Sequence, residues 1–168
     1  MTKKRGLLLA LFMAAIVAAD QITKALVRAK IPFAAFAEDR PLIPGVLGLT
    51  WVENEGAAWS MLSGMRWLFL ALVAVFFIAV GVLIHKKWIT RPAELWCLAA
   101  IGGGALGNAV DRALRGTVTD MLQTLFMRFP VFNLADCFIT CGAAALIVYV
   151  LFFDREKARN QEQSTSSP

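Results

Sequence analysis

Four long apolar runs constrain the fold of this chain more than any other feature of its sequence. They cover approximately residues 6–27, 67–85, 94–111 and 132–153. A helix needs about 20 predominantly apolar residues to cross the hydrocarbon core of a bilayer, and each run is close to that length. Hydrophobic residues make up 58% of the chain and charged residues only 17%, which excludes an ordinary soluble domain. We therefore predict an all-α membrane protein with four transmembrane helices, forming a single domain over residues 1–154.

The first run also has the layout of a secretory signal peptide. A basic segment, residues 3–5, precedes an apolar stretch, and residues 17–19 form an acceptable cleavage site. The apolar pattern resumes after Asp20, however. Asp20 and Lys24 are spaced i, i+4, so one helix face can carry both as an ion pair. We therefore favour an uncleaved first span.

Lysine and arginine are distributed unevenly around the runs. They are denser before the first run, between the second and third, and after the fourth than in the other two connecting segments. Because cytoplasmic flanks carry the excess of basic residues, we predict that both termini face the cytoplasm. The net charge of +5 is thus explained by orientation and does not indicate nucleic-acid binding.

This orientation brings the polar residues of three spans to one depth, near the outer interface. They are Asp20 and Lys24 in the first span, Asn108, Asp111 and Arg112 in the third, and Asn133 and Asp136 in the fourth. Polar and ionisable groups beside lipid are costly, so their presence indicates function. Their common depth indicates a single site.

The connecting segments on the outer side differ in character. The first, residues 28–66, is interrupted by proline and glycine, and its short apolar stretch at 46–52 is typical of a β-strand. In the second, residues 112–131, apolar side chains recur at helical spacing, at Leu122, Leu125, Phe126 and Phe129. We expect this second segment to lie along the membrane surface. The polar tail, residues 155–168, is predicted to be disordered and cytoplasmic.

The glycines of the third span match a nucleotide-binding pattern only by letter. Gly102-x-Gly104-x-x-Gly107 satisfies the dinucleotide fingerprint, but it lies inside a membrane run with no preceding strand, so we reject that reading. Gly103 and Gly107 instead form a small-residue face for close helix packing. Such packing would bring Asn108 close to a neighbouring span.

The three cysteines, Cys97, Cys137 and Cys141, all lie in apolar runs. Their odd number implies no disulfide framework. Cys137 and Cys141 are spaced to share a metal, but the only histidine, His85, is far away in the sequence. We interpret the cysteines as small packing residues, and we expect neither a metal nor another cofactor.

Asp120 and Asp136 carry the sharper chemical signal. Two carboxylates held close in a poorly solvated place tend to share one proton. One can then act as a base towards water while the other protonates the carbonyl or leaving group. Alternatively, Asp120 is a solvated loop acid and Asp136 is favoured by the helix dipole. Asn108 and Asn133 at the same depth favour an enzyme site, in which either aspartate can hold the proton.

Two further pairs are open to more than one interpretation. Asp111 and Arg112 form either a structural ion pair at a helix end or a site in which Arg112 grips a substrate carbonyl or phosphate. Asn54 and Gly56, taken alone, are typical of an ordinary turn.

Four segments, in chain order, resemble the motifs of the lipoprotein signal peptidase family, also called type II signal peptidase, a family of bacterial membrane aspartic proteases. They are Asp20–Lys24, Asn54–Trp59, Gly103–Asp120 and Phe132–Asp136. The chain departs from the family at Trp59, Thr119 and Cys137, where phenylalanine, valine and serine are usual. None of these changes removes a functional side chain, although the Thr119 hydroxyl could hydrogen-bond to a neighbouring carboxylate and shift its pKa.

The resemblance implies an aspartic endopeptidase that removes the signal peptide from diacylglyceryl-modified prolipoproteins, cutting before the lipidated cysteine. It implies a small extracytoplasmic β-layer around residues 42–52 and a place in the bacterial cytoplasmic membrane, with the active site near the outer leaflet. It assigns catalysis to Asp120 and Asp136. It assigns substrate binding or site ordering to Asp20, Lys24, Asn54, Gly56, Asn108, Arg112 and Asn133. The expected partners are the prolipoprotein and membrane lipid, and we expect a monomer.

Two other functions use the same residues. A small proton- or ion-coupled transporter would need polar residues continuing towards the cytoplasm, and the second and fourth spans are almost purely apolar there. A non-catalytic membrane chaperone or assembly subunit would use the acids only to pair with Lys24 and Arg112. A lipid phosphatase fits worse, because the chain lacks a nucleophilic histidine or a clustered metal-binding acid motif.

Overall fold

The computed structural model describes residues 2–33, 40–56 and 61–165, with side chains as far as residue 152. Its elements are the helices α1 (Lys3–Lys30), α2 (Arg66–His85), α3 (Pro92–Arg115) and α4 (Leu134–Thr165) and the strands β1 (Pro41–Ile43), β2 (Leu47–Asn54) and β3 (Val118–Thr124). Within this described part of the chain, four helices are long and apolar enough to cross a membrane. The protein is thus a multi-pass membrane protein with a small sheet, as predicted.

Two helices differ from the predicted boundaries. Helix α1 runs without a break through residues 17–19, the alternative cleavage site, as far as Lys30. Helix α4 continues to Thr165, whereas residues 155–168 were expected to be disordered. The reason is compositional, since residues 156–163 are rich in glutamate, lysine, alanine, arginine and glutamine, which have high helix propensity.

Helix α3 occupies the middle of the bundle and packs against the three other helices. Its glycines make these contacts possible. A Cβ atom on Gly103 would lie 3.0 Å from the Ile16 side chain of α1, and one on Gly104 would collide with the Ala135 carbonyl of α4. Small residues let membrane helices approach this closely, so the predicted packing role is confirmed for Gly103, and Gly104 makes a close contact that was not predicted. In contrast, no residue of α2, all of which is described, is buried.

The three strands form one antiparallel sheet in the order β1-β2-β3. Strand β2 corresponds to the predicted strand at 46–52, and Val52 lies opposite Asp120 in the register of β2 with β3. Strand β3 corrects an expectation, because the helical spacing of apolar residues in 112–131 does not produce a helix. Strand β3 instead pairs with β2, and the backbone N–H groups of Met121 and Leu122 donate hydrogen bonds to the Phe132 carbonyl. Phe126 remains 66% exposed beyond the strand.

Candidate active site

A helix cap fixes the position of Asp136. Asn133 immediately precedes α4, and its side-chain Oδ1 accepts a 3.0 Å hydrogen bond from the Asp136 N–H. In return, Asp136 Oδ2 accepts a 3.1 Å hydrogen bond from the Asn133 N–H. This reciprocal pair is a capping box, with aspartate in the place that glutamate or glutamine usually takes. The same two bonds that begin the helix therefore orient the Asp136 carboxylate.

Asp120 comes from the middle of β3 and is 3% exposed. Its two carboxylate oxygens accept hydrogen bonds from two asparagine side chains, Oδ2 from Asn54 at 2.9 Å and Oδ1 from Asn133 at 2.7 Å. Burial raises the pKa of Asp120 to about 7, and the charge of Asp136 acts in the same direction, while the two asparagine bonds oppose the rise. A neutral Asp120 is therefore accessible near neutral pH.

Both carboxylates line one cavity of about 450 Å³. Five of the other residues assigned to the site by the sequence line it as well: Asn54, Gly56, Asn108, Arg112 and Asn133. The remaining lining is mostly apolar and includes Phe129, Pro130, Val131 and Phe132. Cys137 and Cys141 also line this cavity, so their predicted role as packing residues is incomplete. A space of this kind, apolar with a few convergent polar groups, is typical of a small-molecule or peptide site.

Asp20 and Lys24 lie behind the cavity. The Lys24 side chain is fully buried and forms ion pairs with Asp20 at 2.8 Å and Asp111 at 3.0 Å. The i, i+4 pairing predicted from the sequence is therefore present. A buried lysine is tolerable only where its charge is paired, and here two carboxylates share it.

Lys24 reaches the site through Asn108. The Lys24 ammonium donates a 2.9 Å hydrogen bond to Asn108 Oδ1, and Asn108 Nδ2 donates a 2.7 Å hydrogen bond to Asp136 Oδ1. Asn108 is oriented by this arrangement, because only its oxygen can accept from an ammonium and only its nitrogen can donate to a carboxylate. A chain of hydrogen bonds thus connects α1, α3 and α4.

Asp20 has a second role in the packing of the helices. Its Oδ1 accepts a 3.0 Å hydrogen bond from the Ala135 N–H, one of the otherwise unpaired amides in the first turn of α4. A Cβ atom on Gly107 would lie 2.7 Å from Asp20 Oδ2, so glycine is needed there for α1 to approach α3. Gln21 donates a 3.0 Å hydrogen bond to the Gly107 carbonyl and reinforces this contact.

The contacts of Asp111 and Arg112 bear on the two interpretations of these residues, either a structural ion pair at the helix end or a site in which Arg112 grips the substrate. Asp111 pairs with Lys24 and accepts a 3.3 Å hydrogen bond from the Thr119 N–H. Arg112 points towards the cavity, where Nη2 donates a 2.8 Å hydrogen bond to the Gly56 carbonyl. The Arg112 guanidinium also lies over the Phe69 ring, 4.3 Å from its centroid.

Sequence reasoning missed several contributors to this site. It did not assign Asp111 to Lys24 or find the bond from Gln21. It expected a contact between the Thr119 hydroxyl and a carboxylate, and that contact is made to Glu53 at 3.0 Å. Trp59 lies outside the described residues.

Across the described ranges, no group of three or more histidine, cysteine, aspartate or glutamate residues is placed to hold a metal ion.

A four-helix membrane fold that places two carboxylates, of which Asp120 is buried, in one cavity belongs to the class of membrane-embedded enzymes. The comparisons with known proteins make this class specific. A family model described as signal peptidase (SPase) II matches residues 12–152. The chain therefore belongs to the signal peptidase II family, and it is a membrane peptidase.

Individual relatives agree with this assignment. The lipoprotein signal peptidase of Geobacillus thermodenitrificans is 40% identical over 164 residues, which cover 94% of this chain and 98% of the relative. That of Latilactobacillus sakei subsp. sakei is 39% identical over 145 residues, covering 83% and 91%. A solved bacterial membrane enzyme, determined by the in meso method at 2.3 Å resolution, superposes with a TM-score of 0.77 at 30% identity and covers 85% of this chain and 87% of the solved one.

Proposed function

We propose that this protein is an aspartic endopeptidase that removes the signal peptide from diacylglyceryl-modified prolipoproteins, cutting before the lipidated cysteine. Asp120 and Asp136 are the catalytic pair in this proposal. The observation that carries it is the geometry of the two carboxylates, which line one cavity and are both oriented by Asn133. The transporter alternative is not supported by the family or by its relatives.

Asp120 is the favoured holder of the shared proton, because burial raises its pKa to about 7. The negative charge of the pair then lies on Asp136, whose two oxygens accept hydrogen bonds from Asn108 and from the Asn133 N–H. In the first step, Asp136 takes a proton from a water molecule, and the oxygen of that water attacks the scissile carbonyl carbon. Asp120 gives its proton to the carbonyl oxygen, and a neutral tetrahedral diol forms.

The second step reverses the roles of the two acids. The protonated Asp136 gives its proton to the leaving amine, the carbon–nitrogen bond breaks, and Asp120 recovers the proton from the diol hydroxyl. The pair thus returns to its starting protonation state. Arg112 contributes positive charge at the cavity wall, and its bond to the Gly56 carbonyl holds the backbone two residues after Asn54. We assign Arg112 and Asn54 to substrate positioning on this basis.

The location of the site supports a lipid-modified substrate. Asn133 and Asp136 begin α4, Asn108 and Arg112 lie towards the end of α3, and the sheet lies at the same end of the bundle. With both termini in the cytoplasm, this end faces the outer leaflet of the bacterial cytoplasmic membrane. Cys141 is exposed on α4, so the cavity extends to the surface that faces lipid. We assign this apolar side to the acyl chains and propose that a single protomer is active.

The proposed substrate is tested by cleavage with the purified protein in detergent. A lipid-modified precursor is compared with the same precursor lacking the diacylglyceryl group, and products are resolved by mass. We expect cleavage directly before the modified cysteine and a much slower reaction with the unmodified precursor. Equal rates for the two would contradict lipid recognition, and cleavage at other bonds would contradict the proposed cut site.

A further inference from the structure

A second polar cluster lies behind the catalytic face of the sheet. Glu53 and Thr119 are directly opposite each other in the register of β2 with β3. They are the immediate neighbours of Asn54 and Asp120, whose side chains hydrogen-bond to each other on the cavity side. Because successive side chains of a strand point to opposite faces, Glu53 and Thr119 occupy the back of the sheet.

The Thr119 hydroxyl connects a cation to an anion. It accepts a 2.8 Å hydrogen bond from Arg28 Nη1 and donates a 3.0 Å hydrogen bond to Glu53 Oε1. Arginine can only donate and a carboxylate can only accept, so the direction of both bonds is fixed. Thr119 is 0% exposed, and its hydroxyl could not be left unpaired without cost.

Glu53 accepts hydrogen bonds from two further side chains. Thr117 of the loop before β3 donates a 2.6 Å hydrogen bond to Glu53 Oε2, and Trp51 of β2 donates a 2.7 Å hydrogen bond to Oε1. The carboxylate therefore accepts from three side chains and ties the end of β2 to the start of β3. The Trp51 ring is itself packed edge-on against Phe33, with the centroids 5.3 Å apart.

The cluster lies next to an irregularity in the pairing of the two strands. The pairing of β2 with β3 is irregular between Leu49 and Val52, just before the site-bearing end of β2. A shift of register by one residue would turn Asn54 away from Asp120. Bonds that fix Glu53 against Thr119 after this irregularity therefore fix Asn54 against Asp120 as well.

The cluster also extends the polar face of α1. Asp20, Lys24 and Arg28 are spaced by four residues, so they lie on one face of the helix. Asp20 bonds to the first turn of α4, Lys24 to Asn108 of α3, and Arg28 to Thr119 of β3. One face of α1 thus bonds to α4 and β3, which carry the two predicted catalytic residues, and to α3, which carries Asn108.

We propose that Glu53, Thr119 and Arg28 form a back-face clamp that positions Asn54 against Asp120 for catalysis. The proposal rests on the proposed function, because it assigns the clamp to the same aspartate pair. The three residues are positioning residues and do not touch the substrate.

The test uses Thr119→Val, which keeps the side-chain shape and removes the hydroxyl. The matched control is Thr50→Val, because Thr50 is equally buried in β2 and its hydroxyl has no hydrogen-bond partner among the described residues. We expect Thr119→Val to lower kcat on the order of 10- to 100-fold with KM unchanged, since small misplacements at a catalytic group have effects of that size. Thr119→Ser keeps the hydroxyl and should restore most of the rate, and Thr50→Val should match the wild type.

The pH profile separates positioning from mere loss of stability. The proposed reaction needs a protonated Asp120, so the rate should fall at alkaline pH as Asp120 loses its proton. The Asn54 hydrogen bond lowers the pKa of Asp120. Loosening this bond in Thr119→Val should therefore raise that pKa and move the alkaline limb of the rate profile to higher pH. Glu53→Gln should show the same displacement, and it supplies the readout if Thr119→Val cannot be purified. The effects of the two changes on kcat should not add in the double variant, because both disrupt one cluster.

Asp120→Asn is measured in the same assay to separate the two proposals. Turnover by Asp120→Asn at the wild-type rate would overturn the proposed function itself. If Asp120→Asn is inactive while Thr119→Val and Glu53→Gln keep the kcat and pH profile of Thr50→Val, only the clamp is overturned. Loss of thermal stability with an unchanged kcat would likewise overturn the clamp, because it would show a purely structural role.

Discussion

Asn133 Nδ2 donates a 2.7 Å hydrogen bond to Asp120 Oδ1, although the two residues are 13 apart in sequence, Asp120 in β3 and Asn133 immediately before α4. The rest of Asn133 holds Asp136, through its N–H and its Oδ1. A single, fully buried asparagine therefore orients both members of the predicted catalytic pair. The helix cap and the relative position of the two carboxylates depend on the same side chain.

Serine and alanine at position 133 should separate these two roles. Serine can still cap α4, whereas neither serine nor alanine can donate to Asp120 as the asparagine amide does. We expect Asn133→Ser to stay within about 1 kcal/mol of wild-type stability and Asn133→Ala to lose about 1–2 kcal/mol. Both should lose activity on the order of 100-fold. Thermal unfolding and turnover of the lipidated precursor measure the two effects.

The control for the Asn133 variants is Thr140→Ala, since Thr140 lines the same cavity. That change should preserve most of the activity. Full activity in Asn133→Ser would show that the bond to Asp120 is dispensable, and the account of the pair would need another orienting group.

Two glycines offer a matched test of the packing of α3. A Cβ atom on Gly104 would collide with the Ala135 carbonyl next to Asp136, whereas one on Gly81 of α2 would meet nothing within 4 Å. Gly104→Ala should destabilise the protein by about 1–3 kcal/mol and lower activity, because it pushes α4 away from α3. Gly81→Ala should be neutral or stabilise by about 0.5–1 kcal/mol. Equal thermal stability in the two variants would contradict the close approach of α3 and α4.

The sequence predicted the parts of this structure that depend on composition and local spacing. The four spans follow from hydropathy, and the Asp20–Lys24 pair follows from an i, i+4 spacing. The close packing at Gly103 and Gly107 follows from small residues within a span. Each of these features can be read within one helix.

What the sequence did not predict depends on contacts between distant segments. Strand β3 was missed because the apolar residues from Leu122 to Phe129 fit a helical spacing, and only pairing with β2 shows that Leu122 belongs to a strand. The pairing of Lys24 with Asp111 and of Glu53 with Thr119 likewise requires the register of elements that are far apart in the chain. The helical structure of residues 155–165 was missed for another reason, because the polar composition of this segment was weighed above its helix propensity.

The stability of the protein should depend on pH through Asp120. Its pKa is raised from 3.8 to about 7 in the folded state, so the folded protein keeps a proton that the unfolded chain releases. This contribution to stability is fully present below pH 3.8 and is lost as the pH rises through 7. Asp120→Asn has no such proton. Its stability relative to the wild type should therefore rise between pH 5 and pH 8, by on the order of 2–3 kcal/mol.

The comparison across pH removes any constant effect of the amide on its asparagine neighbours. Melting temperatures of both proteins in the same detergent at several pH values provide the measurement. A difference between the two proteins that stays constant from pH 5 to pH 8 would contradict a protonated Asp120 near neutrality.

The most direct test of the central claim is turnover of the lipidated precursor by Asp120→Asn, by Asp136→Asn and by the double variant. Asparagine keeps the size of each side chain and removes its ionisable carboxyl group. If the two acids act as one pair, each single change should abolish turnover, and the double change should cost little more, because residues that act as a unit are not additive. Binding of the precursor should survive in all three variants. Substantial turnover by either single variant would show that water is activated elsewhere, and the aspartic mechanism would be withdrawn.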